Sequence, residues 1–182
     1  MDFISPLLLF STIVISLTLL RASVFDFKYR IVPFHTWLPM IAVSLPIAII
    51  LYITILIEDT RIFTPIILAV VCMCAAYYIA SRYLNVFGGA DAFALIFITA
   101  FMPVNPLTPL IPESWIGFLP AVVIMNAILF YCAFPIGLVI RNMIKKEKMD
   151  HYPVPFIIPI TAGFFTALLI GDLTCKIFFT FF

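Results

Sequence analysis

Six long apolar runs, parted by short polar stretches, constrain this chain more than anything else in it. They cover residues 3–20, 31–57, 62–81, 92–112, 114–140 and 152–171. A helix needs roughly 20 apolar residues to cross the ~30 Å hydrocarbon layer of a bilayer, and each run is of that order. Composition closes off the soluble alternative. The chain is 65% hydrophobic and 10% charged, whereas soluble domains carry about 25% charged residues. Lipid must therefore solvate most of the side chains. Backbone in lipid has to satisfy its own hydrogen bonds, which leaves helices or a closed barrel; runs of this length favour helices. The expected fold is an all-α membrane protein with six transmembrane helices, forming one domain over residues 1–182. The net charge of +1 gives no electrostatic ground for a nucleic-acid partner.

The breaks between runs follow from charge and proline. Asp2 precedes the first run and Arg21 follows it, the reverse of the basic start of a cleaved signal peptide, so a retained first helix is expected. A polar stretch, residues 21–30, separates it from the second run. Pro33 and Pro39 suggest that the second helix starts a few residues in, since proline suits a first turn, and Pro46 is a kink candidate. The fourth run contains Pro103, Pro106 and Pro109, so its regular helix should end near Phe101. Pro153, Pro155 and Pro159 crowd the start of the sixth.

Basic residues orient the bundle, because cytoplasmic segments carry the excess of Lys and Arg. With the N-terminus and C-terminus both outside, the inner segments hold Arg21, Lys28, Arg30, Arg82, Arg141, Lys145, Lys146 and Lys148. The outer segments hold Arg61 and Lys176, completing the chain's 10 Lys and Arg. The stretches around Asp26 and Asp91 then both fall at the cytoplasmic face.

An ionisable group in or near a span is a candidate functional site. Of the nine acidic residues, Asp2, Glu58, Asp59, Glu113 and Asp172 fall at outer ends. Glu147 and Asp150 sit among lysines in an inner loop. Asp26 and Asp91 border spans on the same inner side, with one outward and one returning span between them, so they can meet at one depth. Two carboxylates sharing a site hold one proton between them. One can then take a proton from water while the other polarises a carbonyl, as in aspartic proteases. Spacing alone leaves other readings open: Asp91 as the N-terminal cap of the fourth helix, and Asp26 as an interfacial acid neutralised by Lys28 or Arg30.

Gly88-Gly89-Ala90-Asp91 resembles the GxGD motif of membrane aspartic proteases in a relaxed form. Asp26-Phe27-Lys28-Tyr29-Arg30-Ile31-Val32-Pro33 resembles the first-aspartate motif of the type IV prepilin peptidase family, which includes the archaeal preflagellin peptidases. Pro155-Phe156-Ile157-Ile158-Pro159, with Gly163, resembles its last-helix signature. The similarity runs the length of the chain in the right order. It implies an aspartic endopeptidase that removes short basic leaders from prepilin or preflagellin (archaellin) precursors at the cytoplasmic face. Asp26 and Asp91 would be the catalytic pair, with Gly88, Gly89 and Ala90 as motif support. Gly88 would let the substrate strand approach Asp91. No cofactor or metal is implied. Bacterial members often carry a cysteine-rich insertion and methylate the new N-terminus. The segment between the first two runs is short and lacks cysteine, which implies an archaeal-type enzyme without N-methyltransferase activity.

Other residues carry weaker signals. Glu147 and Asp150 are candidates for recognising the basic leader. His35 and His151 fall at the inner face as ordinary interfacial groups. Lys145, Lys146 and Lys148 suit anionic headgroups, and Trp37 and Trp115 read as interface anchors. The four cysteines, Cys72, Cys74, Cys132 and Cys175, lie in apolar runs and read as small hydrophobes. Two rivals stay in view. One is a small transporter or channel component using Asp91 as an ion or proton site at a broken helix. The other is an intramembrane protease of the presenilin or signal-peptide-peptidase type, whose Pro-Ala-Leu signature is not apparent here.

Overall fold

The computed structural model describes residues 4–29, 31–58, 60–86, 88–106, 118–145 and 156–169, with the backbone alone at 4–5 and 133–145. Six α-helices account for nearly all of them: α1 (Ile4–Tyr29), α2 (Leu38–Glu58), α3 (Thr60–Arg82), α4 (Gly89–Phe101), α5 (Leu119–Lys145) and α6 (Ile157–Leu169). A short 3₁₀ turn, Phe34–Thr36, precedes α2.

The first helix departs from the sequence expectation. Residues 21–29 are not a loop but the last two turns of α1. Charge alone does not break a helix, since Arg and Lys are good helix formers, and no Gly or Pro occurs between Arg21 and Tyr29. Aromatic rings also cover the charges: the Arg21 guanidinium lies 5.7 Å from the Phe25 ring centre and Lys28 Nζ 5.2 Å from that of Tyr29. Pro33, in extended backbone at φ −68° and ψ 144°, bars the helix from continuing. The other proline expectations fare better. Pro39 sits in the first turn of α2, and α4 ends at Phe101. Helix α2 runs through Pro46 without a break.

By length and composition, three helices among the described residues can cross a membrane: α1 from Pro6 (24 residues), α2 (21) and α3 (23). Helices α4 and α6 have 13 residues each, about 20 Å of rise. The Tyr52 hydroxyl donates to the Ala100 carbonyl at 3.0 Å, and Asn105 Nδ2 donates to the Ala167 carbonyl at 3.2 Å. These bonds tie the far ends of α2, α4 and α6 into one layer. The Thr12 hydroxyl, in the first half of α1, points at Met102 Sδ, so α1 runs antiparallel to α4.

One face of α1 is buried: Leu8, Ser11, Ile15, Leu19 and Ala22 are each at most 1% exposed. Their spacing of three and four residues marks one side of a helix, and Asp26 is the next position on that side. Trp37 corrects another expectation. It is 1% exposed, packed in the core with its ring 5.9 Å from Phe97, and so is not an interface anchor. The 3₁₀ turn folds it inward because Thr36 N–H and Trp37 N–H bond back to Pro33 and Phe34.

Helices α5 and α6 approach one another closely at Gly163. A Cβ there would lie 2.7 Å from Ala127 N and 2.8 Å from Val123 O. Both are backbone atoms and cannot swing away, so glycine is required for this approach, as at other small-residue helix crossings in membranes. Gly163→Ala is expected to destabilise the protein by about 1–3 kcal/mol. Thermal unfolding in detergent checks this, and an unchanged melting temperature would contradict the close crossing.

Candidate active site

Asp91 occupies the third position of α4. Gly88 precedes the helix in extended backbone, φ −67° and ψ 161°. The Gly88 N–H donates to Asp91 Oδ2 at 2.9 Å, and the Gly88 carbonyl accepts the helix bond from Ala92 N–H at 3.1 Å. Asp91 thus supplies the acidic half of a capping box, and the capping role open at the sequence level is physically present. Yet Asp91 is only 9% exposed, and it is not solely a cap. The start of α6 at Ile157 and the Asp26 carboxylate both lie close enough to act electrostatically on its carboxyl group.

Three helix ends therefore converge. The last turn of α1 brings Asp26, half-buried on the inward face. The first turn of α4 brings Asp91. The first turn of α6 brings the Ile157 N–H, with the positive end of the helix dipole behind it. Convergence follows from the loops. Asn85, at φ 50°, takes a left-handed conformation that asparagine tolerates and turns α3 back into α4. The Phe34 ring packs edge-on against Phe93 at 6.1 Å, holding the α1–α2 connection beside the start of α4. Phe156 packs on Tyr131 at 5.1 Å, fixing where α6 begins relative to α5.

One turn deeper, Ser23 Oγ and Thr161 Oγ1 lie 2.8 Å apart and join α1 to α6. Neither was singled out in the sequence. Ser23 falls three residues before Asp26, a signal that helical periodicity applied across residues 21–30 would have given.

The model of the type IV leader peptidase family matches residues 13–136, which include Asp26 and the Gly88–Asp91 motif. The chain belongs to the type IV leader peptidase family. No curated protein matches it. A leader peptidase acts on precursor proteins, and the three long apolar helices place this one in a membrane.

The other candidate residues divide by position. Gly88 and Gly89 are exposed and Ala90 is half-buried. The structure gives a reason for glycine at 88 beside the expected one. Its backbone angles suit any residue, but a Cβ there would lie 3.1 Å from Asp91 Oδ2, whereas one on Gly89 meets nothing within 4 Å. Glycine at 88 leaves room for the carboxylate itself. His35 is exposed in the 3₁₀ turn. Glu147, Asp150 and His151, together with Lys146 and Lys148, lie outside the described residues.

Proposed function

We propose that this leader peptidase is an aspartic endopeptidase with Asp26 and Asp91 as its catalytic pair. The observation that carries the reading is the placement of Asp91: nearly buried, held by the Gly88 N–H, and within reach of the Asp26 charge and the start of α6. Two such acids share one proton. The ionised carboxylate takes a proton from a water, which attacks the carbonyl carbon of the scissile peptide. The protonated one donates to the carbonyl oxygen. Collapse of the tetrahedral intermediate breaks the C–N bond, and a proton passes to the leaving amine.

In this reading all six helices belong to the membrane, both chain termini lie outside, and the site opens at the cytoplasmic face. Among the described residues, Arg21, Lys28, Arg82, Arg141 and Lys145 lie toward the Asp91 end of their helices, and Arg61 toward the other, a bias of the cytoplasmic sign. The substrate is a prepilin or preflagellin (archaellin) precursor, cut after its basic leader and before its apolar helix. Glu147 and Asp150 supply negative charge for the leader. Methyl transfer is not part of the activity, since the connection between α1 and α2 is only a few residues long and carries no cysteine.

The test is incubation of purified protein in liposomes with a precursor carrying a basic leader and an apolar segment, followed by mass spectrometry. The expected products are the free leader and a mature chain with an unmodified N-terminus. An uncut precursor, with ion flux through the same liposomes, would replace this reading with the transport one.

A further inference from the structure

The acid pair is split between α1 and α4 and abuts the start of α6, and something must hold α1 and α6 in register. The Thr161 hydroxyl has a single proton and donates it to the Ile157 carbonyl at 2.9 Å. In the 2.8 Å contact with Ser23, Thr161 Oγ1 must then be the acceptor and Ser23 Oγ the donor. This orders four groups in a line. Ser23 is three residues from Asp26 on α1. Its hydroxyl bonds Thr161, which bonds the Ile157 carbonyl, and Ile157 opens α6 close to Asp91. Thr161 is 6% exposed, so water competes little for the bridge.

We infer that the Ser23–Thr161 hydroxyl bridge is a positioning device for the acid pair, fixing the register of α1 against α6 so that Asp26 and the Ile157 N–H meet Asp91 together. The inference rests on the reading of Asp26 and Asp91 as the catalytic pair. Apolar packing between helices in lipid has little directional preference, whereas a hydrogen bond between them selects one register. Ser23 sits about one helical turn from Asp26, and Thr161 one turn from Ile157 at the start of α6, so a slip of α6 moves its first turn against Asp91. Ser23 and Thr161 are positioning residues; neither is placed to touch the scissile bond.

The test uses the full chain in liposomes and a synthetic precursor with a basic leader. Ser23→Ala and Thr161→Val each remove the bridge without adding bulk. Each is expected to lower kcat about tenfold with KM changed less than twofold. The double variant should fall no further than the worse single one, because both remove the same bond. Ser23→Thr restores a donor and should return kcat to within about twofold of the unaltered protein. Should Thr161→Val fail to accumulate, Ser23→Ala and Ser23→Thr carry the test by themselves. Unchanged kcat, losses that multiply in the double variant, or a Ser23→Thr as poor as Ser23→Ala would each overturn the proposal. So would a rise in KM alone: Ser23 also lines a shallow groove with Leu20, Val24, Phe27, Lys28 and Ile158, and that result would assign it to substrate binding there. Asp26→Asn is assayed in parallel. If that variant still cleaves, the underlying reading has failed; if it is dead while the hydroxyl variants keep full kcat, only the positioning device has.

Discussion

Asp26→Asn and Asp91→Asn are each expected to lower leader cleavage by about a thousandfold or more, in protein that still inserts and accumulates. The magnitude is that of losing a positioned general acid or base. Each substitution removes one of two groups that act as a unit, so the double variant should be no worse than either single one. The assay is cleavage of a leader-bearing precursor in membranes, normalised to the amount of protein. Undiminished cleavage by either variant would sink the proposed pair.

Asparagine is the informative replacement at Asp91 because it separates the two things this residue does. An amide oxygen can still accept the Gly88 N–H bond that the carboxylate accepts at 2.9 Å, so the start of α4 stays capped. The charge that burial penalises is gone. Asp91→Asn should therefore unfold at the same temperature as the unaltered protein or higher. Asp91→Ala also loses the cap and should cost about 1 kcal/mol. Activity lost with stability kept is the pattern of a functional site carrying an unfavourable charge. A residue that served only as a cap would lose stability in step with activity.

How much of this was legible in the sequence depended on what marked each feature. The helices announced themselves through apolar length, and the end of α4 through Pro103. Asp26 and Asp91 stood out as candidates because charge is scarce in this chain and most of the basic residues fall toward their end of the helices. The course of α1 was not legible. Arg21 looked like a boundary, although nothing between Arg21 and Tyr29 breaks a helix. That one error hid the helical face on which Asp26 follows Ala22, and with it the nearness of Ser23. Trp37 was misread for a related reason. Tryptophan near a span end suits an interface, but the 3₁₀ turn that carries Trp37 inward is made by backbone bonds to Pro33 and Phe34, which composition does not reveal. The Ile157 N–H is invisible to any reading of side chains, since its role belongs to a helix terminus brought alongside by the fold.

The two glycines before Asp91 should respond in opposite ways to the same small change. A methyl group on Gly88 would sit 3.1 Å from Asp91 Oδ2, closer than carbon and oxygen ordinarily approach. The carboxylate has little room to yield. It is 9% exposed, tied to the Gly88 N–H and close to the start of α6. Relief has to come from rotation of the acid or a shift of the Gly88 backbone. A displacement well under 1 Å at a reacting group is enough to cost tenfold to about a hundredfold in rate. Gly88→Ala is therefore expected to lose activity on that scale. Its stability should not fall much, because φ −67° and ψ 161° are ordinary angles for alanine, and alanine reduces the freedom of the unfolded chain. Gly89 is the first residue of α4, with nothing within 4 Å of the added carbon. Alanine is the better helix former there, so Gly89→Ala should keep activity within about twofold, the range of a substitution that disturbs no packing. Rates and melting temperatures of the two variants, measured side by side, decide the matter. Equal losses at both positions would mean that the motif needs flexible backbone. A loss confined to Gly88→Ala would mean that it needs space around the carboxylate, with Asp91 fixed in place rather than free to move.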